Sequence, residues 1–381
     1  MWCVYLSMTT NKLNRVILFI SLVAFIFVAG CKDDDVVIDN PSDGNTGSLY
    51  FPPTSGDTWA TTSPESLNWD TSKIQALYDF LDDGSTRAFL VLKDGKIVLE
   101  HYNGKDILQI GDFDKTSKWY WASAGKTLTA FLVGQAKADG YLNLDDKSSK
   151  HMGNWTSLTI EQEDKITVRH QLTMTSGLDD SGNSDCTDKT CLTYKADPGT
   201  RWAYHNAPYT LLDSVIQGST KQGFDDYFNI RLRDPIGMDG DWSYLDYNHV
   251  YFSTARSMAR FGLLVLNKGK WEEKVILDDD QFLHDMVNTS QDINKSYGYL
   301  WWLNGKSSHM LPGFQLEIRK PISENAPSDM VSGLGKNGQF LNVVPSQNLI
   351  VIRMGDNPDN ALVPVKFLDE MWEKLNEVIK P

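Results

Sequence analysis

A serine that is to attack a carbonyl needs a base. Only one lysine in this chain has a serine three places before it: Lys126, in Ser123-Ala-Gly-Lys126. Positions i and i+3 share a helix face, so the amine can reach the hydroxyl. The run Trp119-Tyr-Trp-Ala122 leads straight into a helix that begins near the serine. Unpaired N–H groups and partial positive charge at a helix N-terminus favour a developing oxyanion. Lysine acts as a base only when neutral, which requires its ordinary pKa of about 10.4 to be lowered by burial or a neighbouring cation. The pair therefore predicts an enclosed site. A helix-capping serine beside an exposed lysine is the alternative that the motif alone leaves open.

Tyr204-His205-Asn206 is the second candidate. A phenol can relay a proton between nucleophile and leaving group, and an amide can orient the lysine. The same Tyr-x-Asn pattern occurs at Tyr141 and Tyr227, but only the 204 copy follows a turn, Pro198-Gly199 with Trp202, and precedes a helical stretch from Ala207 to Ile216. The tyrosine then sits at a loop end, where catalytic groups project. A core tyrosine beside a turn asparagine is the competing reading.

These residues need a frame. Asp70 to Leu81 reads as a first helix, with Ile74, Leu77, Tyr78 and Leu81 on one face. A hairpin follows, Ala88 to Lys93 and Lys96 to Tyr102, around Asp94-Gly95, a pair suited to positive φ. Ala122 to Ala138 reads as the helix of the nucleophile, and Ser253 caps another that runs to about Asn267 before Gly269. Short strands return at Phe340 to Val344 and Leu349 to Met354, and a closing helix spans Pro364 to Ile379. The expected fold is α/β: a mostly antiparallel sheet built from both chain ends and flanked by helices. An all-α subdomain is inserted at roughly 119–290, and the whole domain spans 49–381.

The N-terminus reads as an export signal. Lys12 and Arg15 precede an apolar run from Val16 to Ala29 of about 14 residues, shorter than the roughly 20 needed to span a bilayer. Val28-Ala29-Gly30-Cys31 resembles a lipobox, with residues 1–30 removed, Cys31 lipidated and 31–48 a polar tether; an ordinary signal peptide with a chance cysteine is the alternative. An exported lipoprotein of the outer membrane, facing periplasm or cell surface and held to the membrane through that lipid alone, is the expectation. Cys186 and Cys191 then suit a small loop-closing disulfide, and no metal-ligand spacing is evident around them or among His101, His151, His249, His284 and His309. The formal net charge of −14 argues against nucleic acid as a partner.

Two longer segments carry a resemblance. Ile166-Thr-Val-Arg-His170-Gln-Leu172-Thr-Met-Thr175-Ser176-Gly177-Leu178 resembles the Thr-Ile-Arg-His-Leu-Leu-Thr-His-Thr-Ser-Gly-Leu signature of the serine β-lactamase and penicillin-binding-protein family, in its class C-like branch that includes the 6-aminohexanoate-dimer hydrolases. Pro198-Gly-Thr-Arg-Trp-Ala-Tyr204-His-Asn206 resembles that branch's Pro-Gly-x-x-Phe-x-Tyr-Ser-Asn element, and Ser-x-x-Lys is a signature of the family's relatives. The resemblance covers roughly 50–375. It implies acyl transfer through Ser123 with Lys126 and Tyr204 moving protons, on a small or oligomeric ester or amide, with no cofactor and no metal. β-Lactamase or D-Ala-D-Ala peptidase activity is second, and a binding or sensor lipoprotein without turnover is the alternative of another class. The family's Lys-Thr-Gly or His-x-Gly element is replaced by Gly335-Lys336-Asn337-Gly338-Gln339. By analogy, Lys336 or Asn337 faces substrate and the Gln339 N–H joins that of Ser123 in an oxyanion hole, with Asn206 as a further binding residue. His170 is read as structural, and Trp301-Trp302 as core.

Overall fold

The computed structural model describes residues 49–379; the expected leader, Cys31 and tether lie outside the described residues. The first helix is a 3-10 turn, Thr71–Lys73, capped by the Asp70 carboxylate and continued as Ile74–Asp83. The hairpin then forms β1 (Thr86–Lys93) and β2 (Lys96–Tyr102). Asp94 and Gly95 both hold positive φ, 49° and 81°, the backbone of a two-residue turn whose twist matches its strands.

Short β3 (Trp119–Tyr120) leads into a 3-10 turn, Ala122–Gly125, and the helix Lys126–Ala138. Further on come β4 (Asp241–Leu245), β5 (Asn248–Ser253), the helix Ala255–Leu266, the two-residue strands β6 (Lys270–Trp271) and β7 (Lys274–Val275), and β8 (Trp302–Leu303). The C-terminal part supplies β9 (Val331–Gly335), β10 (Gln339–Val344), β11 (Leu349–Gly355) and the helix Val365–Ile379.

The main sheet has the order β2-β1-β11-β10-β9-β8, with every pair antiparallel. Both chain ends meet at the β1–β11 pairing. Strand side chains alternate between faces, and β11 shows where the two helical layers lie. Ile350 meets Gly262 of the helix Ala255–Leu266, where a Cβ would stand 3.0 Å from its Cγ2. Arg353, of the other parity, lies 5.0 Å from the Phe367 ring of the C-terminal helix. Helices thus cover both faces, which is why every residue of β10 and β11 is buried and their sequences run apolar.

The insert departs from all-α. Between 119 and 290 the helices share the region with a three-stranded antiparallel sheet, β3-β5-β4. Two-residue β3 is too short to show a period-2 pattern, and Trp119 and Tyr120 are both aromatic, so sequence periodicity gave no strand there. That small sheet sets up the site. Ser253 also differs from its expected role: Thr254 caps the helix by accepting from Ser257 N, while Ser253 Oγ accepts from the Trp121 indole at 2.7 Å. Among the described residues no helix is long and apolar enough to cross a membrane.

Candidate active site

Three anchors hold the chain just before Ser123. Trp119 and Tyr120 pair with Ser253 and Phe252, Trp121 N donates to Tyr251 O at 2.8 Å, and the Trp121 ring is pinned by Ser253. Ala122 then turns with φ +47°, a left-handed backbone that a side chain disfavours, and presents Ser123. The turn is not the start of a regular α-helix as expected from sequence; it is 3-10, and the α-helix opens at Lys126.

Lys126 is 3% exposed on a helix that is buried all round as far as Ala136. Its Nζ donates to Ser123 Oγ at 3.0 Å, its one hydrogen bond among the described residues. The amine also lies 4.1 Å from the centre of the Tyr209 ring and 5.1 Å from that of Tyr204. Burial lowers its pKa to about 7, against an opposing pull from the Asp185 carboxylate. Ionised lysine is disfavoured because the site supplies little to replace its water.

Tyr204 is brought to the same hydroxyl. The loop before it is tied down by Gly199 N to Thr175 O and Ala203 N to Met174 O, at 2.8 and 2.9 Å. Its ring stacks on Trp302 at 5.8 Å and stands edge-on to Tyr297. Burial among these aromatics pushes the phenol well above its ordinary pKa, and the nearby Ser123 hydroxyl opposes the shift. Tyr204 is therefore a neutral donor, not a phenolate, at any ordinary pH. Trp302 is buried, as core, yet it also forms the back of the tyrosine's slot.

Asn206 opens the helix Asn206–Thr210, and its Nδ2 donates to Asp185 Oδ1 at 2.7 Å. Its Oδ1 is buried without a partner among the described residues. Asp185 directly precedes the loop closed by the Cys186–Cys191 disulfide, and Ala207 N donates to Ser184 O at 2.9 Å, stitching this segment to the helix. His170 accepts from Thr167 N at 3.1 Å in a capping box, a structural place.

The segment after β9 walls the other side. Lys336 and Asn337 line the same cleft as Ser123, Lys126, Tyr204 and Asn206, a space of about 520 Å³. Asn337 holds φ +64° and donates its amide to Tyr120 Oη at 2.8 Å; Lys336 is exposed. Gln339 does not line the cleft. Its side chain is buried and spent on Gly355, accepting from N at 3.0 Å and donating to O at 2.7 Å, so it splices β10 to the end of β11. What lies against the nucleophile turn is Gly335, where a Cβ would stand 2.6 Å from Trp121 O and 3.0 Å from Ala124 N. Only glycine allows that approach.

Sequence reasoning missed Tyr209, Asp185, Gly335 and a buried pair at the cleft edge, His249 Nδ1 with Asp213 Oδ2 at 2.8 Å. Asp213 is raised to about 6 by burial, with the histidine opposing. The pair is 36 positions apart, a separation that no motif marks. The presence of Asp185 beside a closed cysteine loop was the one local hint.

A family profile described as Beta-lactamase matches residues 84–361. Among solved structures, a protein provisionally assigned as a 6-aminohexanoate-dimer hydrolase from Bacillus anthracis superposes with a TM-score of 0.63 at 18% identity, covering 86% of this chain and 89% of that one. A provisionally assigned β-lactamase from Bacteroides dorei gives 0.62 at 17%, over 82% of this chain and 100% of that one. A penicillin-binding protein from Bacillus halodurans gives 0.57 at 15%, over 78% and 99%. Protein flp of Staphylococcus aureus is 28% identical over 169 residues, 40% of this chain; the chain spans 33% of that relative's length.

Proposed function

This chain belongs to the beta-lactamase family, whose members are serine hydrolases, and we propose that it cleaves an ester or amide through an acyl-enzyme on Ser123. The observation that carries the reading is the 3.0 Å contact between Ser123 Oγ and a lysine amine whose pKa burial brings to about 7. Near neutrality a large fraction of Lys126 is then free to take the serine proton as Oγ attacks the carbonyl. Tyr204, protonated and lining the same cleft beside that oxygen, gives its proton to the leaving group and recovers one from the Lys126 ammonium. Water, deprotonated by the same lysine, then attacks the acyl carbon, and the lysine returns that proton to the departing Ser123 oxygen. Within the turn Ala124 N donates to Trp121 O and Lys126 N to the carbonyls of Ser123 and Ala124, so the Ser123 N–H is the group of this turn offered for an oxyanion site.

An ester or amide is preferred over a β-lactam because Asn337, in the place of the family's threonine, commits its amide to Tyr120. Lys336 stands at the cleft as a candidate contact for substrate. The proposal includes export and lipid attachment at Cys31, for which mass spectrometry of the cell-derived protein should find a diacylated N-terminal cysteine. A fluorophosphonate probe should label Ser123 alone, with sustained turnover of p-nitrophenyl acetate and none in Ser123→Ala. Labelling with a burst but no turnover would favour a sensor, and hydrolysis that survives Ser123→Ala would end the reading.

A further inference from the structure

The mouth of the cleft carries large apolar side chains that acyl transfer itself does not use. Tyr244 and Leu245 are 64% and 51% exposed, Leu362 is 56% and Phe314 is 64%. They come from three separate parts of the chain: the β4–β5 hairpin, the loop around Pro312-Gly313, and the loop between β11 and the C-terminal helix. Leu245 and Leu362 line the cleft, with Val250 and Val363 buried beneath them. Tyr244 is Leu245's neighbour, and Phe314 follows the lining Gly313. Single exposed apolar residues are ordinary on a protein surface. Two elements bring Leu245 and Leu362 to one opening, beside Pro312 from a third, and together they mark a binding surface.

The rim is held from behind. Tyr244 stacks on His249 at 4.2 Å with the rings 8° from parallel, and His249 is fixed by its 2.8 Å contact with buried Asp213. At the hairpin turn, Tyr247 Oη donates to Asp188 in the disulfide loop at 2.8 Å. Gln315, next to Phe314, donates to Trp202 O at 3.0 Å. The charged groups deeper in the cleft are largely spent on neighbours: Asp180 on Arg201 at 2.6 Å and Asp185 on Asn206. An apolar surface fixed before binding loses little entropy when a ligand covers it.

We propose that this rim is a subsite for the apolar chain of the substrate, so that the enzyme selects esters or amides with a medium-length acyl group over acetyl-sized ones. The proposal rests on the Ser123 hydrolase reading and names its substrate class. Each methylene that leaves water on binding contributes a roughly constant free energy. Between p-nitrophenyl acetate and hexanoate, kcat/KM should accordingly rise about tenfold or more. Leu245→Ser and Leu362→Ser should bring that hexanoate-to-acetate ratio down severalfold toward one, whereas Ile110→Ser, an exposed apolar residue that does not line the cleft, should leave the ratio where it is.

A flat ratio in the wild type, with esters still hydrolysed, would overturn the subsite and spare the hydrolase. Should no ester be turned over, the hydrolase reading fails instead, and binding decides the rim. Calorimetry of Ser123→Ala should then show tighter binding of N-(4-nitrophenyl)hexanamide than of the acetamide; equal affinities would overturn the proposal. Binding to phosphatidylcholine vesicles that the two leucine variants abolish, with the ester ratio unchanged, would assign the rim to a lipid surface and also overturn it.

Discussion

Among the described residues Lys126, Arg260, Lys306 and Arg353 are buried, and the first and last of these have opposite surroundings. Arg353, in β11, donates to Asn337 O and Gly338 O at 2.6 and 2.9 Å, to Gly84 O and Asp356 O at 2.7 and 3.0 Å, and to Thr86 Oγ1 at 3.1 Å. Lys126 has one hydroxyl and the faces of two tyrosines. Burial pulls both below their ordinary pKa, Arg353 to about 9 and Lys126 to about 7. Arg353 therefore keeps its proton at neutral pH, and Lys126 sits near its midpoint. Each falls by a similar amount, so the different charge follows from ordinary values of 12.5 and 10.5, and the acceptors decide what each group is tied to. Ringed by carbonyls, Arg353 is a structural rivet; Lys126, with one hydroxyl beside it, is free to serve as a base. The two are also linked, because Arg353 holds the carbonyls of the segment that walls Ser123.

The largest effect should come from Lys126→Met. Loss of the base should lower kcat/KM roughly 10³-fold or more. Stability should move the other way. The folded-state pKa of Lys126 lies below its unfolded value of 10.5, so between about pH 7 and 10.5 the unfolded chain binds more protons and wild-type stability rises with pH. Urea denaturation should find the methionine variant more stable at pH 7, by about 3 kcal/mol, with the gain shrinking toward pH 10. A variant less stable than wild type at pH 7 would break the comparison. Arg353→Met should do the reverse. It leaves the carbonyls of Gly84, Asn337, Gly338 and Asp356 without their donor, and the same denaturation should show a loss of about 3–5 kcal/mol.

What the sequence made legible follows the range of each interaction. Ser123 and Lys126 are one helical turn apart, and Asp94-Gly95 forces its own turn, so both could be read locally. The closing helix begins at Val365, one residue from its expected start, because its apolar stripe is periodic. Arg353 stood inside a strand already read as Leu349 to Met354, yet nothing near it in sequence announced acceptors at Gly84 and Thr86, more than 260 positions away. Gly335 and Ala122 were silent for a different reason. A close backbone approach and a positive φ are properties of the assembled chain, and glycine and alanine have many other uses. For Gln339 the resemblance spoke only of its backbone N–H, and nothing local showed that its side chain would be consumed at Gly355.

The smallest predicted effect sharpens the contrast most finely. Asp185 is the charge whose attraction raises Lys126 against the effect of burial, and it lines the same cleft. It thus gives Lys126 a weak version of what Arg353 has in full. Asp185→Asn keeps the shape and can still accept from Asn206, but removes that attraction. The Lys126 pKa should fall, so the neutral amine persists to lower pH. The acid limb of kcat/KM, expected near pH 7 in the wild type, should shift downward by about half a pH unit, the scale of one partly screened charge. Activity on the alkaline side should change little, since the lysine is neutral there in both proteins. A shift toward higher pH would mean that Asp185 acts on the site through the loop it anchors, and that charge around Lys126 matters less than the shortage of acceptors.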